Sequence, residues 1–121
     1  MDERCLKLLH DVRQAAIAIL RFCSGRQLED YRADLMLRSA VERQYEIIGE
    51  ALNRLRKLDP AMAAVITECD RIIGFRNVLA HGYDSVDDRI SWDIVQNKLP
   101  VLEKDVARLM DGAGDAEEAA K

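Results

Sequence analysis

Apolar residues recur every three or four positions along most of the chain, which is the spacing that places them on one face of an α-helix. Residues 2–23 carry such a stripe, made of Leu6, Leu9, Val12, Ala16, Leu20 and Cys23. Ser24 and Gly25 end this predicted helix, because glycine readily adopts the left-handed conformation that follows a helix C-terminus. Residues 33–57 carry a second stripe, made of Leu37, Val41, Ile48, Leu52 and Leu55.

Two shorter helices are predicted in the middle of the chain. Asp59 and Pro60 mark a helix start, since aspartate caps free N–H groups and proline is tolerated in the first turn. This helix is expected to end near Glu68. The next predicted helix covers residues 71–81, and Gly82 ends it.

The last predicted helix covers residues 87–110, with an apolar stripe of Val95, Leu99, Leu102, Val106 and Leu109. Pro100 lies inside it, so we expect a kink where the Gln96 carbonyl loses its hydrogen-bond donor. Residues 112–121 contain no large apolar side chain and are expected to form a flexible acidic tail.

Nothing in the chain alternates apolar and polar residues as a β-strand does, and only 2 prolines and 6 glycines interrupt the helical spacing. We therefore predict an all-α fold, an up-and-down bundle of four to five helices in residues 1–111. The first, second and last stripes are longer than one small bundle can cover. A homodimer through one helical face is therefore expected.

A chain of 121 residues fits a single domain. No apolar stretch approaches the roughly 18 to 20 residues needed to span a bilayer, and the charged N-terminus lacks the features of a signal peptide. We therefore expect a cytoplasmic protein without a membrane partner. Cys5, Cys23 and Cys69 are too far apart for a Cys-x-x-Cys site, so reduced structural thiols are predicted.

The formal net charge of −4 is unevenly distributed. Residues 111–121 contain four acids and one base, so the rest of the chain is nearly neutral. Arginine outnumbers lysine 13 to 5, and guanidinium groups bind phosphate through two parallel hydrogen bonds. The acidic total argues against broad electrostatic capture of long nucleic acids, but it does not exclude RNA in a small local site.

Candidate chemistry is concentrated in residues 71–87, RIIGFRNVLAHGYDSVD, and the chain lacks the glycine-rich nucleotide loops and common hydrolase motifs. With two histidines in the chain, a multi-histidine metal site is not available, and no metal or cofactor is predicted. Asn77 and His81 are four residues apart and share a helix face. Arg76 precedes His81 by five residues, about 140° around the helix and roughly 7.5 Å along it. Two apposed copies would bring the arginine and histidine together more easily than one helix.

His81 is expected in the last helical turn, where partial negative charge favours the imidazolium form. Histidine accepts and returns protons near neutrality, whereas arginine keeps its charge and holds phosphate. One hypothesis is therefore RNA cleavage in which His81 activates the ribose 2′-hydroxyl and Arg76 holds the scissile phosphate. Alternatively, all three residues are structural. His81 then stabilises the end of its helix, Arg76 forms an ion pair, and Tyr83 is a packing residue with a hydrogen-bonded hydroxyl. Residue chemistry alone favours a purely structural helical dimer. His10 is interpreted as a surface or interface residue. Glu46 and Glu50 are interpreted as part of a solvated helix face.

The motif region resembles the HepT-like toxins of the HEPN superfamily. Their hallmark is an arginine, four residues, a histidine, one residue and a tyrosine, which here are Arg76, His81 and Tyr83. Asn77 fits the polar residue that commonly follows the arginine. The likeness extends to AVERQYEIIGEALNRL (residues 40–55), which is similar to the family's long second helix. It also includes the stretch from residue 72 to DIVQNKLPVLEKDV with its internal LP.

This resemblance implies an all-helical homodimer with metal-independent endoribonuclease activity and no cofactor, a toxin of a type VII-like toxin–antitoxin module. Arg76 and His81 would be the catalytic pair at the dimer interface, Asn77 would support them, and RNA would be the substrate. A minimal nucleotidyltransferase antitoxin would neutralise the toxin by transferring AMP to Tyr83. The alternative is a non-catalytic helical interaction module that binds a nucleotidyltransferase partner or a nucleotide.

Overall fold

The computed structural model describes the backbone of residues 1–81 and 87–119 and the side chains of residues 1–76 and 87–112. Within these ranges the regular secondary structure is entirely helical, as predicted. In chain order the elements are α1 (Glu3–Cys23), α2 (Leu28–Ala33), α3 (Leu35–Leu58), α4 (Pro60–Val65), α5 (Cys69–His81), α6 (Asp88–Asp93), a π-helical turn (Ile94–Lys98) and α7 (Leu99–Ala119). The last three elements follow one another without a break.

In the part of the chain that the structure describes, four long helical segments make up the bundle: α1, α3, α5 and the continuous segment from α6 to α7. α3 packs against both α1 and α5, and α7 packs against α1. α1 and α3 run antiparallel, because Glu3 at the start of α1 and Leu58 at the end of α3 line the same cleft. No helix in the described ranges is both long enough and apolar enough to cross a membrane.

The predicted apolar stripes form the core. The completely buried residues of the stripes lie in α1, α3 and α7 and include Leu9, Val12, Ile48, Leu52, Leu99 and Leu102. Three stripe residues lie at the edge of the core and are only half-buried: Leu6, Leu20 and Leu109. Each fully buried aliphatic side chain contributes about 1.5–3 kcal/mol relative to exposure, so the stripes account for the choice of helix faces.

Aspartate side chains begin four of the helices. The carboxylates of Asp2, Asp34, Asp59 and Asp87 accept hydrogen bonds from backbone N–H groups in the first turns of α1, α3, α4 and α6, over 2.7–3.1 Å. The predicted helix start at Asp59 and Pro60 is therefore confirmed. Asp34 is also the single residue between α2 and α3, and Asp59 is the single residue between α3 and α4.

The short helix α2 was not predicted. Its first turn is closed by the Gln27 N–H, which donates to the Asp30 carboxylate over 2.7 Å. Its Tyr31 is completely buried and packs on Trp92, with ring centroids 5.5 Å apart. Because Trp92 belongs to α6, a contact distant in sequence accounts for this helix.

The last helical segment differs from the single helix predicted for residues 87–110. A π-helical turn occupies the place of the expected kink, and the Leu99 N–H donates to the Ile94 carbonyl, five residues back. α7 then continues to Ala119, so the prediction that the helix ends at Met110 was wrong. The side chains of the predicted tail beyond Gly112 lie outside the described residues, and its flexibility stays a prediction.

Candidate functional site

Arg76 lies on the face of α5 that packs against the bundle. It follows the buried Ile72 by four residues and the buried Ile73 by three, so the three side chains project from neighbouring positions on one face. The Arg76 side chain is itself half-buried. The motif arginine is therefore held partly inside the fold.

The aliphatic part of Arg76 lies directly on the backbone of α3 at Gly49. A Cβ built on Gly49 would overlap the Arg76 Cβ and would lie 2.5 Å from its Cγ and 3.4 Å from its Cδ. Non-bonded carbon atoms pack at about 3.5–4.0 Å. Only glycine therefore fits at this position while Arg76 keeps its place.

Aromatic and hydrogen-bonding contacts of nearby residues on α5 and α3 stabilise the packing of these two helices. Phe75 meets the ring of Tyr45 edge-on, with centroids 5.2 Å apart. The buried Tyr45 hydroxyl donates to the Ser91 carbonyl over 2.6 Å. Burial raises the pKa of the Tyr45 phenol far above its usual range, so this donor stays protonated. Tyr45 of α3 thereby joins α5 to α6.

The beginning of α5 is fixed to the last helical segment. Glu68, just before α5, has a φ of 58°, a left-handed conformation that is uncommon for residues other than glycine. Its carboxylate forms ion pairs with Lys98 of the π-helical turn and with Arg71, each over 2.9 Å. A hydrogen bond from Lys98, and a weaker effect of the hydrogen bond from Arg71, lower the pKa of Glu68. The neighbouring Thr67 N–H donates to the nearly buried Asp105 carboxylate of α7 over 2.9 Å.

The predicted site residues are described to different extents. His81 is the last residue of α5, as expected for a histidine in the final turn, and Asn77 lies one turn before it. The side chains of Asn77 and His81 lie outside the described residues, as does the whole of Tyr83. The structure thus places Arg76, Asn77 and His81 on one helix, and the roles assigned to all four residues stay predictions.

A groove of about 360 Å³ lies between α5 and the segment from α6 to the π-helical turn. Its lining includes the apolar Ile72 and Phe75 together with Lys98. His81 follows Phe75 by six residues, which places the two about 120° apart around the helix. The groove therefore lies on a different side of α5 from His81.

Other predicted positions are structural or exposed. All three cysteines are buried and free, which agrees with the prediction of structural thiols, and burial raises the pKa of each thiol. His10 is exposed. Glu46 and Glu50 form ion pairs with arginines of their own helix over 3.3 and 2.9 Å, which confirms the interpretation of a solvated face.

Comparison with known proteins gives one family. The model described as "Ribonuclease HepT-like" matches residues 12–109, a range that contains α3, α5 and the whole motif from Arg76 to Tyr83. The chain belongs to the HepT-like ribonuclease family.

Relatives of this HepT-like chain are similar over most of their length. It is 31% identical over 111 residues to "Putative RNase MJ1380" of Methanocaldococcus jannaschii, covering 88% of this chain and 97% of that protein. It is 32% identical over 98 residues to "Probable ribonuclease HepT" of Thermococcus cleftensis, covering 78% and 84% respectively. No solved structure gives a significant match.

Gly49 is the feature of this HepT-like chain that sequence reasoning missed. It stands in the EIIGEA run of α3, directly after the buried Ile48, and is itself buried. Glycine in the middle of a helix is costly relative to alanine, so a buried one calls for a packing reason. That signal was present in the sequence, but it does not say which residue makes the contact.

Proposed function

We propose that this HepT-like chain is a metal-independent endoribonuclease toxin that cleaves RNA at a site shared by two protomers. The observation that carries the proposal is the family match, because it spans the complete motif of Arg76, Asn77, His81 and Tyr83. Two of its relatives carry the names RNase and ribonuclease. The half-buried position of Arg76 against α3 is consistent with a side chain held in one orientation.

In the proposed reaction, His81 accepts the proton of a ribose 2′-hydroxyl while the 2′-oxygen attacks the adjacent phosphorus. The bond from phosphorus to the 5′-oxygen breaks, and the imidazolium returns a proton to that oxygen. The products are a cyclic phosphate and a free 5′-hydroxyl. Arg76 holds the scissile phosphate and stabilises the charge of the transition state, and Asn77 supports the pair.

The proposed site needs two copies of α5. Arg76 faces α3, whereas His81 lies about 140° further around the helix and roughly 7.5 Å along it. In a symmetric homodimer the two motif helices face each other, so each arginine approaches the histidine of the other protomer. The site is then a cleft at the dimer interface.

Control of this activity is assigned to Tyr83. A minimal nucleotidyltransferase antitoxin transfers AMP from ATP to the phenolic oxygen and releases pyrophosphate. The new phosphodiester adds negative charge and bulk two residues from His81, which repels and blocks the RNA phosphate.

RNA cleavage by purified protein in EDTA tests the enzyme proposal. We expect the wild type to cut RNA, and Arg76→Ala and His81→Ala to lose about 10²–10⁴-fold in rate. Arg71→Ala is the matched control, because Arg71 is also on α5 but is largely exposed, and it should retain activity. A dimeric wild type that leaves RNA intact would reject the enzyme and favour the interaction module. Loss of cleavage in EDTA would reject only metal independence.

Intact-protein mass spectrometry tests the role of Tyr83. Incubation with the nucleotidyltransferase and ATP should add mass in units of AMP to the wild type. Tyr45→Phe, which alters a buried tyrosine, should gain the same mass, and Tyr83→Phe should gain none. A modified Tyr83→Phe protein would contradict the assignment.

A further inference from the structure

Gly49 is set apart from the other helical glycines whose surroundings are described. Among the described residues, a methyl group at Gly74 of α5 or at Gly112 of α7 would meet no atom within 4 Å. At Gly49 the same methyl group would clash with the first two carbons of the Arg76 side chain. The contact between α3 and Arg76 therefore requires that position 49 has no side chain.

The position of the overlap decides how it could be relieved. The Arg76 Cβ is bonded to the α5 backbone, so rotation about the outer bonds of the arginine cannot move it away from α3. A side chain at Gly49 would instead force the backbone of α5 away from α3, since rotation about the Cα–Cβ bond leaves the Cβ in place. This movement displaces the guanidinium group at the far end of the side chain.

We propose that Gly49 is a positioning residue for Arg76: the bare backbone of α3 holds the stem of the arginine and thereby aims its guanidinium group at the scissile phosphate. This inference rests on the proposed ribonuclease function. Long arginine side chains lose much conformational freedom when they are fixed, and here the fold fixes the stem before substrate arrives. Gly49 makes no contact with RNA in this account and acts only through Arg76.

Gly49→Ala is the direct test, and Gly112→Ala is the matched control with the same change in open space. Small misplacements of a substrate-positioning group cost up to about 100-fold in rate. We therefore expect Gly49→Ala to lower kcat/KM by about 10- to 100-fold, mostly through kcat, with size-exclusion elution unchanged. Gly112→Ala should stay within about twofold of the wild type, because nothing near it has to move.

A second measurement does not depend on catalysis. The Nε–H signal of Arg76 in a two-dimensional NMR spectrum, identified by its loss in Arg76→Lys, should shift in Gly49→Ala and stay in place in Gly112→Ala. If the wild type is inactive, the proposed function fails, and this signal still tests the contact. If Arg76→Ala abolishes cleavage while Gly49→Ala keeps full activity and an unshifted signal, the positioning role is overturned.

A double variant that exchanges the glycine between the two positions tests the contact if Gly49→Ala does not fold. The double variant Gly49→Ala with Arg76→Gly removes every arginine atom that the methyl group would meet. It should recover helix content and a cooperative unfolding transition that Gly49→Ala alone lacks. Failure of the swap to restore folding would mean that something other than Arg76 fills the space beside Gly49, and the inference would fall.

Discussion

The Tyr45 hydroxyl offers a prediction whose size follows from the structure. Tyr45 is 2% exposed and donates over 2.6 Å to the carbonyl of Ser91, which is completely buried. Tyr45→Phe keeps the ring and its contact with Phe75 but removes the donor. A buried polar group left without its partner costs about 1–3 kcal/mol.

The expected loss lies in the lower part of that range. The Ser91 carbonyl also accepts a hydrogen bond from the Ile94 N–H, so it keeps one partner after the substitution. We therefore expect Tyr45→Phe to lower the free energy of unfolding by about 1–2 kcal/mol. Urea unfolding followed by circular dichroism, at one protein concentration and with the slope compared between variants, measures this difference.

Tyr31→Phe is the matched control. Among the described residues the buried Tyr31 hydroxyl has no hydrogen-bond partner, and burial raises the pKa of this phenol to about 12. Removing it leaves no partner behind, so the free energy of unfolding should change by no more than about 0.5 kcal/mol or should rise. Equal losses in the two variants, or a neutral Tyr45→Phe, would refute the importance of the bond between α3 and α6.

Three further predictions concern α5 and Glu68, the residue just before it. Gly74→Ala should raise the free energy of unfolding by about 0.5–1 kcal/mol, because this helical position is open, and a loss at fixed protein concentration would contradict it. Glu68→Gln should lower stability at neutral pH. Because the folded-state pKa of Glu68 lies below 4.5, its contribution is present above that value and lost as pH falls through the folded-state pKa. The gap between the urea midpoints of wild type and Glu68→Gln should therefore close on acidification, and a constant gap would reject the role of the charge. Glu68→Gly should be more stable than Glu68→Ala by about 1 kcal/mol, since only glycine adopts a φ of 58° without strain, and the reverse order in urea unfolding would be inconsistent with that conformation.

The long helices followed from local signals. Their apolar stripes run without interruption, and aspartates at positions 2, 34 and 59 cap free N–H groups at the predicted or neighbouring boundaries. Helix α2 could not be predicted in this way, because it has six residues and its stability comes from packing Tyr31 on the distant Trp92. The extension of α7 to Ala119 also escaped prediction, since the residues after Met110 lack the apolar periodicity on which the boundary was drawn.

The sequence predicts candidate residues for the site but not the contacts that support them. Spacing and family resemblance point to Arg76 and His81 on a single helix, and their catalytic roles stay predictions. The contact between Arg76 and Gly49 joins positions in α5 and α3 and depends on where the two helices cross, which periodicity does not reveal. The ion pair between Glu68 and Lys98 depends in the same way on the place of the π-helical turn.

The single-residue connections at Asp34 and Asp59 have a mechanical consequence. Each of these aspartates is the C-cap of one helix and the N-cap of the next, so no flexible linker separates α2, α3 and α4. A displacement of α2 or α4 therefore also displaces an end of α3, and local unfolding of one of these helices alone is disfavoured. α2, α3 and α4 should exchange their amide hydrogens as one cooperative unit, and an inserted residue at either aspartate would uncouple them.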